Sequence, residues 1–141
     1  YNAGKTTIQG LNLAYGYDSW ASQWVVNIGD STNDYDVDLH NNLYEYALNG
    51  DPTNALVTGE EPLLENIGGT LLYVHLQRND DTNLIYRVET CTNLVSGIWT
   101  NTGYWVTGTN AMGGGTFYDE VTNGISTTED QSFIRLKVSQ P

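Results

Sequence analysis

From residue 71 onward polar and apolar positions alternate with a period of two, the pattern of strands whose two faces meet different surroundings. Residues 71–78 and 84–90 are two such runs, and the intervening Asn79-Asp80-Asp81-Thr82-Asn83 predicts a hairpin with a five-residue loop. Residues 98–101, 104–107, 116–118 and 133–138 read as further short strands between Gly and Thr-Asn turns. Thr-Asn occurs seven times at irregular intervals, so it reads as turn chemistry rather than as a repeat. Upstream, residues 6–14 alternate loosely and predict one or two short strands broken at Gly10. Helical spacing shows in Leu43, Tyr46, Ala47 and Leu48, which predicts a helix over 42–49 with Gly50 as left-handed cap and Pro52 as stop. A weaker helical turn or two falls at 18–26, capped by Asp18 or Ser19, with Trp20 and Trp24 on one face. The expected fold is all-β: an antiparallel β-sandwich, with one short helix following an acidic loop, in a single domain over residues 1–141.

Composition narrows what such a fold can do. Ten Tyr and four Trp stand against two Phe, so the aromatic rings mostly carry a polar handle, which suits surfaces that meet sugars or partners. A net charge of −12 offers nucleic acid or an anionic membrane surface no field to follow. It also repels a sulfated or uronic polysaccharide at long range, so an anionic glycan would need a local cluster of the few cations, whereas a neutral glycan would not. Cys91 is the only cysteine, which excludes an intrachain disulfide. No apolar run reaches the length of a membrane span. Tyr1 heads the chain without Met or a signal sequence, and the expectation is a module excised from a longer or processed protein.

The acidic loop carries the most specific pattern. In Asp34-Tyr35-Asp36-Val37-Asp38-Leu39-His40-Asn41-Asn42-Leu43-Tyr44-Glu45, oxygen-bearing side chains fall at the first, third, fifth, ninth and twelfth places, the ligand spacing of an EF-hand. Calcium prefers six to eight oxygens. Asp34, Asp36 and Asp38, the carbonyl of His40, Asn42 directly or through water, and a bidentate Glu45 would nearly complete that shell. Glu45 would close the site from the first turn of the expected helix, whose N-terminus favours a carboxylate. The departure is Leu39, because the sixth place normally holds Gly to allow positive φ, and a Leu on that backbone costs about 1 kcal/mol.

Residues 34–45 followed by Tyr46-Ala47-Leu48-Asn49-Gly50-Asp51-Pro52-Thr53-Asn54, then Tyr86-Arg87-Val88-Glu89-Thr90-Cys91-Thr92-Asn93-Leu94 with Trp99, and Phe133-Ile134-Arg135-Leu136-Lys137, resemble the C-terminal accessory domains of secreted glycoside hydrolases and sulfatases of polysaccharide-degrading bacteria. The likeness spans residue 30 to the end, about three quarters of the chain. It implies a β-sandwich with a calcium loop, outside the cell and attached to a parent catalytic domain acting on complex glycans. It also implies that Trp99 lies in the core. The first thirty residues carry no part of the resemblance.

Sugar recognition needs flat aromatic faces flanked by polar groups. In Thr102-Gly103-Tyr104-Trp105-Val106-Thr107, alternation separates Trp105 from Tyr104 and Val106, so Trp105 stands outside the sheet if Val106 faces the core. Trp20 and Trp24 are further candidates, one docking the amino-terminal segment and the other free. For a sulfated ligand the expected cations are Arg78, His75 and Arg87, gathered on neighbouring strands, with Arg engaging a sulfate through two parallel hydrogen bonds.

Catalytic signatures are missing: there is no nucleophile elbow and no His-Glu zinc motif, and Gly113-Gly114-Gly115 lacks the Lys and helix of a phosphate loop. A hidden pair of glycosidase carboxylates has little room for a cleft in so small a domain. The expected function is a non-catalytic carbohydrate-binding module, secreted, holding a parent enzyme on a polysaccharide. Its rival is a structural, surface-anchoring or self-associating module stabilised by the same calcium loop.

Overall fold

The computed structural model describes residues 16–114 and 116–141. The strands expected over residues 6–14 lie outside them. Two short helices, α1 (Tyr17–Ala21) and α2 (Asn42–Leu48), precede six strands: β1 (Leu63–Ile67), β2 (Thr70–Arg78), β3 (Ile85–Cys91), β4 (Tyr104–Ala111), β5 (Tyr118–Ile125) and β6 (Phe133–Ser139). They form two antiparallel sheets, one ordered β1-β2-β5-β4 and the other β3-β6. The fold is mostly β and sandwich-like.

Tyr73, Val88 and Ile125 pack between the sheets, with Leu71, Tyr104, Ile134 and Leu136 around them. A second core joins the helices to the sheets: Tyr17, Trp20, Trp24 and Ile28 meet Tyr46, Ala47 and Leu48 of α2, and this block packs on Leu76, Leu84 and Tyr118. Its rings interlock, Trp20 lying edge-on to Trp24 at 5.6 Å and tilted against Tyr46 at 5.2 Å.

The helix over 42–49 forms as expected, with a different cap at its finish. Asn41 caps the start, its side chain accepting the Tyr44 N–H at 2.9 Å. At the finish Asn49, not Gly50, takes the left-handed conformation, with φ 67°. Gly50 serves close approach instead: a Cβ there would fall 2.8 Å from the Cβ of Glu45. In α1 the cap is Gly16 rather than Asp18 or Ser19, and no side chain caps it.

The expected 71–78/84–90 hairpin does not form. β2 lies between β1 and β5, and β3 pairs with β6, so residues 79–84 carry the chain from one sheet to the other. Buried polar contacts hold that crossing. Arg78 donates from Nε and Nη2 to the Asp80 carboxylate at 2.8 Å and its guanidinium lies 4.2 Å over the Tyr46 ring, while Tyr46 Oη donates to Asp81 at 2.9 Å. The turn is thereby tied to α2. A hairpin does form one connection earlier, where Gly68 and Gly69, both at positive φ, join β1 to β2 as a two-residue loop.

Two strands are longer than expected. β4 continues to Ala111 through a bulge between Val106 and Gly108, and β5 continues to Ile125. Both contain Thr-Asn pairs, 109–110 and 122–123, so those two copies are strand rather than turn. Residues 98–101 contribute only an isolated bridge between Thr100 and Thr90.

Candidate functional site

The acidic loop folds on its own carboxylates. Asp34 accepts the backbone N–H groups of Asp38 at 3.2 Å and Leu39 at 3.0 Å, and Asp38 accepts that of His40 at 2.7 Å. These bonds curl the chain until one carboxylate oxygen from each of Asp34, Asp36 and Asp38 lies within 4.8 Å of the others. The curl requires left-handed backbone at Val37, φ 62°, and at Leu39, φ 82°. Leu39 therefore adopts the conformation that Gly normally supplies at the sixth place. Its side chain is 91% exposed, so no packing offsets the strain.

Glu45, on α2, is fully buried and lies near enough to this cluster to feel the charges of Asp36, Asp38 and Asp34. Both of its oxygens, both of Asp36, Oδ2 of Asp38 and Oδ1 of Asn42 are buried without a hydrogen-bond partner in the protein. Burial first, then Asp36, Asp38, Asp51 and Asp34, push the Glu45 carboxyl up to about 8. Asp36 is likewise raised, by burial and then by Asp38 and Asp34. Carboxylates crowded together with orphaned oxygens are costly for the protein alone. A hard divalent cation fits this donor set, because oxygen ligands and excess negative charge are what it requires.

The other two expected ligands, Asn42 and His40, engage neighbouring groups through atoms other than the oxygens expected to meet the metal. Asn42 turns its Nδ2 to the carbonyls of Ile28 at 2.9 Å and Asp30 at 3.0 Å, bracing the preceding segment. His40 directs its ring to Glu61 at 3.2 Å and stacks on Tyr44 at 4.7 Å, so its carbonyl is the group left for the seventh place.

Of the expected ligand-binding residues, Trp105 is on the surface, 51% exposed. It belongs to a row running across the four-stranded sheet, Glu65 opposite Leu72, Leu72 opposite Gly124 and Gly124 opposite Trp105. The indole stands over Gly124, where no side chain intervenes. By strand alternation Leu63 and Ile67, both more than half exposed, share that face.

Trp20 and Trp24 are not available as platforms, because both are buried in the helix-side core. The expected gathering of Arg78, His75 and Arg87 is also not made. His75 is buried beside Tyr73 and Tyr86, and Arg78 is buried in its pair with Asp80; only Arg87 is exposed. Trp99, expected in the core, is half-buried, with the Arg135 guanidinium 4.1 Å from its ring centroid. Sequence reasoning passed over Arg135 and Lys137, although both alternate with the core residues Ile134, Leu136 and Val138. That alternation was the signal available. Comparison with protein-family models, with curated proteins and with solved structures found no match for this chain.

Proposed function

We propose that this chain is a non-catalytic carbohydrate-binding module, secreted, that keeps a parent enzyme on a complex polysaccharide by raising its local concentration there. The observation that carries the reading is Trp105: a large indole left half in solvent on an open sheet face, over a glycine that leaves its ring unobstructed. The resemblance of residues 34–54, 86–94 and 133–137 to accessory domains of polysaccharide-degrading enzymes supports it. Calcium, held by Asp34, Asp36, Asp38 and Glu45 with the His40 carbonyl, is the structural cofactor in this reading. It neutralises the buried carboxylates and ties the loop to α2.

Affinity electrophoresis through gels containing plant and algal polysaccharides tests the proposal. Retardation by at least one glycan, weakened by Trp105→Ala, is expected; unchanged migration in every gel would refute it.

The exposed Leu63, Ile67 and Trp105 on one face favour a second reading, a self-associating module whose copies meet there. Sedimentation across a concentration series in calcium separates the two readings. A monomer at all concentrations eliminates self-association.

A further inference from the structure

Three of the five basic residues in a chain of net charge −12 stand on one face of the two-stranded sheet. Arg87 lies opposite Lys137, and Glu89 lies opposite Arg135. The residues alternating with them, Tyr86, Val88, Leu136 and Val138, turn to the core. Arg87, Arg135 and Lys137 are all exposed. Arg135 donates from Nε and Nη2 to Glu89 Oε2, at 2.9 and 2.7 Å, and lies over Trp99 at 4.1 Å, which holds its guanidinium in place. Arg87 and Lys137 have no ion pair among the described residues. Like charges directly opposite on neighbouring strands repel, so this pairing does nothing for the fold.

A groove lies between β6 and the start of α2. Arg135 and Lys137 line a cavity of about 300 Å³ with Leu136 and Val138 of β6 and with Asn41, Leu43 and Tyr44 at the start of α2. One wall is therefore the basic strand and the other the helix that follows the acidic loop.

We infer that the outer face of β3 and β6, with this groove, binds an acidic polysaccharide whose sulfate or uronate groups are held by Arg87, Lys137 and Arg135. The inference rests on the carbohydrate-binding reading and names its ligand class. Arg87, which has no ion pair among the described residues, can take a sulfate or carboxylate through two parallel hydrogen bonds, and Arg135, its Nε and Nη2 committed to Glu89 and its guanidinium on Trp99, adds a positive charge held in place beside it. Three cations stand against Glu89 on the sheet face and Glu61, which Tyr44 holds at the groove, and form a local positive field. That suits a polymer with well-separated charges better than a nucleic acid duplex, which carries one charge per ~1.7 Å and would be repelled by the remaining surface.

The test uses affinity electrophoresis and titration calorimetry in low calcium with dextran, dextran sulfate, hyaluronan and single-stranded DNA. The proteins are the wild type and the Arg87→Gln/Lys137→Gln double variant. The wild type is expected to bind dextran sulfate or hyaluronan at least tenfold more tightly than dextran, weakening as salt rises. The double variant should lose at least tenfold against that polymer. Its near-UV dichroism should be unchanged, since both replaced side chains are exposed and unpaired. Preference for dextran sulfate over hyaluronan assigns the anion as sulfate, and the reverse assigns carboxylate. Full affinity in the double variant, or equal binding of single-stranded DNA, overturns the inference. If the wild type binds neutral glycans and no anionic one, this inference falls while the carbohydrate-binding reading stands; binding to no polysaccharide removes both.

Discussion

The indole of Trp105 occupies the space a side chain at Gly124 would need: a Cβ there would fall 2.5 Å from two of the ring's carbons. Gly124 does not have positive φ, so the backbone does not demand glycine at this place. The ring does. Gly124→Val should therefore displace Trp105 and lower glycan affinity about tenfold, close to the loss from Trp105→Ala. Combining the two changes should add little, because they act on one contact. Calorimetry of the two single variants and the double variant checks this, and additive losses would show that Gly124 acts by another route.

Glu45 makes a sharper prediction for the metal. Its carboxyl is fully buried with both oxygens unpartnered. Calcium at a hundredfold excess over its dissociation constant should stabilise the native protein by about 2.7 kcal/mol, several degrees in Tm. Glu45→Gln replaces a carboxyl that burial and its acidic neighbours keep largely protonated in the metal-free protein by a neutral amide of the same shape. The chelated variant should be at least as stable as the chelated wild type, yet gain nothing when calcium is added. Calorimetric scans with and without chelator decide it; a full calcium-induced shift in the variant would exclude Glu45 as a ligand.

Leu39 holds φ 82° with its side chain in solvent. Leu39→Gly should relieve that strain and stabilise the folded protein by about 1 kcal/mol with or without calcium. Urea denaturation in chelator measures it. Unchanged or lower stability would mean that the loop pays no strain at this position.

His75 gives the pH dependence. Burial draws its imidazole below the ordinary value of 6.5, partly offset by the Leu76 carbonyl 2.9 Å from Nδ1. The folded pKa lies below the unfolded one, so between them the unfolded chain binds more protons. Stability contributed by neutral His75 is thus complete above about 6.5 and declines as pH falls towards the folded pKa. Denaturation midpoints from pH 8 to pH 5, in saturating calcium, should fall less for His75→Phe than for the wild type. Parallel profiles would remove His75 as the source.

Arg78 is buried with Asp80 and lies over Tyr46. Arg78→Ala leaves Asp80 without its partner and opens the crossing between the sheets, and should cost about 3–5 kcal/mol. Arg78→Lys should recover only part, since an ammonium cannot reproduce two bonds to Asp80 and a flat stack on Tyr46. Urea denaturation of both variants provides the measurement, and equal stability of Arg78→Lys and wild type would show that charge alone matters.

What the sequence by itself determined is local. The spacing of Asp34, Asp36, Asp38 and Glu45, the helix after them and the alternation of β2, β3 and β6 depend on contacts a few residues apart, so composition and period suffice to read them. Tertiary structure decided which strands pair, because a period of two assigns a face and not a neighbour. It sent β2 and β3 to different sheets, and it hid Trp20 and Trp24 by laying α1 against α2. β5 was illegible because, as a strand between two others, it buries the polar Asn123, satisfied by the Tyr73 carbonyl at 3.2 Å. The cationic face was illegible for a related reason. Arg87 and Lys137 are fifty residues apart, and only the register of β3 on β6 sets them side by side.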